Sequence, residues 1–321
     1  MQITTTISKQ LQLLTLFFLC HTVFADTGRV FVSNERGDSV SVFDGNTNQV
    51  ISTIPVGKRP RGVGISPDGT EVYVAVSIDN LIAVVDPVKL EVIRTFSCGD
   101  DPEAFAVHPN GNIYISNEED AIASVYNPSN GELIDTIEVG LEPEGVAISP
   151  DGTKVAVTSE STNLLHIIGI PSHDILHNVV VGARPRSAAF SSDSETVYVT
   201  SEISGEIIKI NVSSGEIQQK VSLGDARAKP KDILVSKDGQ KLYVAGGRSN
   251  KIFVLDEEEL KILNSIPVGK RVWGLALSKD GATLYTTDGV DHQVSVIDTR
   301  VEEVSAAVPV GKFPWGVAIH D

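Results

Sequence analysis

The chain has 321 residues, 41% of them hydrophobic and 6% aromatic, enough apolar material for one large core. A formal net charge of -16 excludes a protein that wraps a polyanion such as DNA, because phosphate binding depends on many Lys and Arg contacts.

Residues 1–25 differ in kind from the rest. Lys9 is their single charged side chain, Leu11 to Phe24 is mostly apolar, and Val23 and Ala25 precede a cut before Asp26, as in an export signal peptide. The run is too short to stay in a bilayer. Leu19 before Cys20 is too bulky for a lipid-attachment box, so no membrane anchor is expected. The mature chain, 26–321, is expected in the periplasm or outside the cell, as a monomer. Losing Lys9 takes its net charge from -16 to -17, and Cys98 is left without a disulfide partner. Cys98 stands where other repeats place Val or Leu, so it reads as a small buried apolar residue.

From here the chain repeats itself about every forty-two residues. An apolar residue followed by glycine recurs at Gly57, Gly99, Gly140, Gly182, Gly224, Gly269 and Gly311. After each comes a short apolar run: GVGIS, AFAVH, GVAIS, SAAFS, DILVS, GLALS and GVAIH. Within a repeat this run is followed by a PDG-type turn, a Val-rich strand, a polar loop, a third strand, a second turn and a fourth strand. The strands are short, rich in Val and Ile, and separated by Gly, Asp, Asn and Pro. DEEEL at Asp256 to Leu260 looks helical in isolation, but its register makes it a hairpin turn.

A four-stranded sheet with two apolar faces must stack on its neighbours, and a ring leaves no end exposed. The predicted fold is therefore all-β: a seven-bladed β-propeller with four antiparallel strands per blade. The mature chain opens at the second strand of a repeat, RVFVSN from Arg29, and ends after a first strand, Gly316 to His320. The C-terminal strand should complete the N-terminal blade.

Segments such as VYVAVSIDNLIAVVD and SIPVGKRVWGLALSKDG resemble the YVTN family of β-propellers. More narrowly, VSNERGDSVSVFD, DPEAFAVHPNG, ARPRSAAF, TTDGVDHQVSVID and GKFPWGVAI are similar to the PQQ-dependent catabolism-associated β-propeller proteins. That resemblance covers nearly all of the mature chain. It implies a periplasmic protein accompanying quinoprotein-dependent alcohol oxidation, with a quinoprotein dehydrogenase, a cytochrome or a transporter component as partner. The long interval LGDARAKPKD in the fifth repeat departs from the pattern and puts any ligand carried by that loop in doubt.

In such a fold the loops before the first strand and after the second share one face. The residue just inside the first strand is Arg61, Glu103, Glu144, Arg186, Lys231, Trp273 and Trp315 in turn, and a hairpin has no need of seven large side chains there. The loop after the second strand supplies Glu35, Glu118, Glu160, Glu202, Arg248 and Asp288. Together they are expected to form two rings at one channel mouth, able either to bind a ligand or to pair with one another and cap the channel.

No metal or other cofactor is expected: HxH, HExxH, CxxCH and an Asp-rich calcium loop are all missing. His166 reads as half-buried filler. No GxSxG or other nucleophile motif is present, so the main expectation is a binding or scaffold propeller accessory to PQQ-dependent oxidation rather than an enzyme. Two alternatives stay open: a hydrolase or lactonase using channel-mouth carboxylates, of which Glu103 or Glu144 could act as base, and a cell-surface adhesion propeller.

Overall fold

The computed structural model describes residues 26–321. The signal-peptide reading of residues 1–25 lies outside them. No helix among the described residues is long and apolar enough to cross a membrane.

The strands form seven four-stranded antiparallel sheets, the blades of a closed propeller. The innermost strands are Pro314–His320, Pro60–Ile65, Pro102–Val107, Pro143–Ile148, Pro185–Phe190, Ile233–Val235 and Val272–Leu277, for blades 1 to 7. Blade 1 joins the two ends of the chain: Arg29 pairs with His320, Phe31 with Ala318 and Val32 with Val317. His320 also reaches Thr27 through Nδ1 and the Gly69 carbonyl through Nε2, tying the closing strand to the neighbouring blade.

The core lies between blades. The second and third strands are buried on both faces, as in Val72–Val76 and Leu164–Gly169, while fourth strands such as Glu132–Glu138 are largely exposed. Seven hydrophobic clusters fill the seven interfaces; one combines Phe31, Val40 and Val42 of blade 1 with Val72, Val74 and Val76 of blade 2. Cys98 belongs to the cluster between blades 2 and 3, and burial pushes its thiol up to about 12, which leaves it an inert packing group.

The PDG-type turns hold themselves together: Asp68 accepts bonds from the Ser66 hydroxyl and the Thr70 amide, and Ser149 with Asp151 and Ser278 with Asp280 repeat the device. DEEEL is a turn between the strands Lys251–Asp256 and Ile262–Pro267. Near the axis the innermost strands crowd together. A Cβ at Gly145 would sit 2.4 Å from the Arg186 carbonyl oxygen, and one at Gly316 would sit 2.7 Å from that of Arg61. Glycine is needed there for backbone approach.

Candidate active site

Six innermost strands share an irregularity that aims large side chains at the axis. In blade 2, Pro60 pairs with Val76 but the ladder resumes only at Val63 and Val74, and blades 3, 4, 5, 7 and 1 slip at the corresponding point. The bulge releases Arg61, Glu103, Glu144, Arg186, Trp273 and Trp315 from the alternation of a regular strand. Blade 6 begins its inner strand later, yet Lys231 is placed alike by its amide bond to the Ala245 carbonyl at 2.9 Å.

A second device fixes the ring. Hydroxyls on the second strand of one blade donate to the carbonyl of the ring residue in the next: Ser33 to Arg61, Ser116 to Glu144, Thr158 to Arg186, Thr200 to Lys231 and Thr287 to Trp315. The ring is thus held by hydroxyl-to-carbonyl bonds independent of its side-chain charges.

Those charges form two buried networks. In the first, Arg61 pairs with Glu103 and lies 3.3 Å from Glu35, while Arg59 reaches Asp101 at 3.2 Å and Glu103 at 3.6 Å. Carboxylate oxygens of Asp101, Glu103 and Glu118 lie within 4.8 Å of one another. Two guanidinium groups already face this cluster. Glu103 is fully buried, and burial followed by the charge of Glu144 raises its pKa well above the ordinary range.

In the second network Arg186 is the hub: it meets Glu144 at 2.7 Å, pairs with Glu160, and has Glu202 at 3.7 Å from Nε. Arg184 reaches Glu160 at 2.5 Å and Glu202 at 3.5 Å. Lys231 Nζ lies 2.7 Å from Glu202 and 4.1 Å from the Trp273 ring centroid. Burial, then the charge of Arg186, lowers the Lys231 pKa to about 7. Against burial, Lys231 and Arg186 hold Glu202 below the usual glutamate range. A buried amine near neutrality can take a proton at physiological pH, which an ordinary lysine cannot.

The second network opens on a cavity of about 190 Å³ on the axis. Glu144, Arg186, Lys231, Asp232, Trp273 and Trp315 line it, with apolar backing from Val63, Phe105, Val146, Leu275 and Val317. The two indoles lie with centroids 6.1 Å apart and form one wall.

The structure thus brings Arg61, Glu103, Glu144, Arg186, Lys231, Trp273 and Trp315 to one opening, with Glu35, Glu118, Glu160 and Glu202 behind them. Two expected members are not there. Asp288 is the last residue of the strand Thr283–Asp288 and points the other way, accepting from Ser295 at 2.7 Å and Gln293 at 3.0 Å. It occupies the position of Asn34, Asn117, Ser159 and Ser201, one residue before the mouth glutamates, and a one-residue shift reverses a strand side chain. Arg248 sits exposed on the short 3-10 turn Gly247–Ser249, outside the cavity lining. His166 is buried, accepting from the Gly140 amide at Nε2 and facing Asn178 at 2.5 Å through Nδ1.

Asp232 was not singled out in the sequence. It lines the cavity and accepts from the Ser187 hydroxyl at 2.8 Å and from the amides of Ile233 and Leu275, both at 2.9 Å. Burial raises its pKa against those bonds. The signal was available: its position is Gly62, Ala104, Gly145, Ser187, Gly274 and Gly316 in the other blades.

Two family models match parts of the chain: "YNCE-like beta-propeller" over residues 18–123 and "Lactonase, 7-bladed beta-propeller" over residues 172–302. The second segment carries Arg186, Glu202, Lys231, Asp232 and Trp273. Among curated proteins none matches the chain. Among solved structures, Kuenenia stuttgartiensis hydrazine synthase matches at 22% identity and TM-score 0.79, over 86% of this chain and 94% of that one. A candidate 6-phosphogluconolactonase from Bacteroides fragilis NCTC 9343 matches at 20% identity and TM-score 0.76, over 91% and 98%. The dihydro-heme d1 dehydrogenase NirN, in complex with DHE, matches at 14% identity and TM-score 0.70, over 92% and 76%. At these identities the structural matches speak for the fold.

The comparisons support the propeller resemblance but not the narrower association with PQQ-dependent catabolism. They also correct the expected function. The lactonase model covers Arg186, Glu202 and Lys231 of the second network, though not Glu144 or Glu160, and this favours the hydrolase alternative over a scaffold accessory to alcohol oxidation.

Proposed function

We propose that the axial cavity hydrolyses a lactone or a related ester. The observation that carries this reading is Lys231: an amine whose pKa is lowered to about 7, lining the axial cavity beside Arg186 and inside the segment matched by the lactonase model.

In this reading the neutral amine of Lys231 takes a proton from water as the water oxygen attacks the carbonyl carbon. Negative charge developing on the carbonyl oxygen is met by the guanidinium of Arg186, which Glu144 and Glu160 hold in place. When the tetrahedral intermediate collapses, the ring C–O bond breaks and the Lys231 ammonium returns its proton to the leaving oxygen. Lactone and water are converted to a hydroxy acid, with no net proton change at the side chain. Glu202 keeps the amine in position throughout. The role first expected of the mouth carboxylates thus passes to Lys231, and the carboxylates orient the cations.

The test is turnover of a panel of lactones and esters by the wild-type chain and by Lys231→Ala. Hydrolysis that disappears in the variant supports the reading; equal hydrolysis by both, or none by the wild type across the panel, overturns it.

A further inference from the structure

The cavity divides sharply into an apolar wall and a small polar corner. The wall is the indole pair of Trp273 and Trp315, continued by Phe105, Leu275 and Val317. At 6.1 Å between centroids the indoles leave no room for a third ring between them, so a ligand meets them side by side as one aromatic surface.

In the polar corner most hydrogen-bonding capacity is already taken up. Ser187 is bonded to Asp232, Asp232 also holds two backbone amides, Glu144 faces Arg186, and Lys231 faces Glu202. Two donors on cavity-lining residues, the indole Nε1–H of Trp315 and the Nε–H of Arg186, are buried without a hydrogen bond among the described residues, although Glu202 lies 3.7 Å from the second. A polyhydroxylated ligand would bring several hydroxyls into this space with few partners to receive them, and each buried hydroxyl left unpaired costs about 1–3 kcal/mol.

From this arrangement we infer that the cavity selects an aryl-bearing lactone or carboxylate, with its ring against Trp273 and Trp315 and its oxygens toward the Arg186 and Lys231 corner, in preference to a sugar lactone. The inference deepens the hydrolase reading and rests on it for turnover, but binding stands apart. The volume, about 190 Å³, suits a single ring with a short acid arm.

The chain contains two tryptophans, and both line the cavity, so its tryptophan emission reports this site alone. The protein is titrated with 3-phenylpropionate, an aryl carboxylate that cannot be hydrolysed, and with gluconate, and emission is followed. The expected result is a saturable change with 3-phenylpropionate at about tenfold or more lower concentration than with gluconate. Trp315→Ala, which removes half of the aromatic wall, should weaken 3-phenylpropionate by about tenfold while Trp273 still reports. Equal or tighter binding of gluconate, no saturable response to 3-phenylpropionate, or an unchanged affinity in Trp315→Ala overturns the inference. Turnover is then compared between dihydrocoumarin and gluconolactone. Aryl binding without hydrolysis of either supports the inference and removes the hydrolase reading; hydrolysis of gluconolactone without aryl preference does the reverse.

Discussion

Lys231 and Glu202 meet at 2.7 Å, yet the lysine is less basic than a free one. A carboxylate at that distance favours the ammonium, but burial and the neighbouring Arg186 act the other way and prevail. The pair is therefore poised near neutrality, the amine changing its charge at about pH 7.

If that amine is the base, hydrolysis should follow its deprotonation. The active form is the neutral one, so kcat/KM should rise as pH increases through about 7 and level off above it. Lys231→Ala should lose roughly 10²–10⁴-fold in kcat/KM. Lys231→Arg, cationic at every working pH, should be equally inactive and show no such limb. A pH–rate profile of the three proteins checks this.

Glu202→Gln removes the charge that favours the ammonium and should move the acidic limb to lower pH. Because Glu202 lies behind the amine, KM should change by less than about threefold while the apparent pKa falls. A limb that stays in place, or moves upward, would separate Glu202 from the control of Lys231.

Asp288 offers a stability test away from the cavity. Burial, against bonds from Ser295 and Gln293, raises its pKa from 3.8 to about 6. Between those values the unfolded chain has released the proton and the folded chain has kept it, so stability falls as pH rises through the window. Asn34 and Asn117 fill the same position in other blades and bond Ser41 and Ser124. Asp288→Asn should therefore stabilise the protein at pH 7 by roughly 1–2 kcal/mol, a Tm gain of about 2–4 °C, and the gain should vanish below pH 4. Thermal melts at two pH values decide it.

Deleting the last ten residues removes the inner strand of blade 1 and the His320 contacts to Thr27 and Gly69. The ring then has two unsealed faces, Val30 and Val32 lose Ile319 and Val317, and cooperative unfolding should be lost or the midpoint lowered by more than about 10 °C. Calorimetry of the truncated and untruncated chains measures this. A truncated chain that melts like its parent would show that the shared blade is dispensable.

The sequence by itself determined the ring. Repeating Gly57, Gly99, Gly140 and their successors set the number of blades, and the offset between Arg29 and His320 set how they close, because strand period and turn chemistry are local properties. It also named most of the mouth residues, since Arg61 through Trp315 occupy one repeat position. Only the tertiary structure decided which of them form a site. Asp288 and the mouth glutamates differ by one residue in register, and pairing, not composition, fixes which way each points. The basicity of Lys231 depends on Arg186 one blade away and Glu202 one blade away, and on a cavity walled by indoles from blades 7 and 1. Burial and charge at those distances arise only when the ring brings remote repeats to one axis.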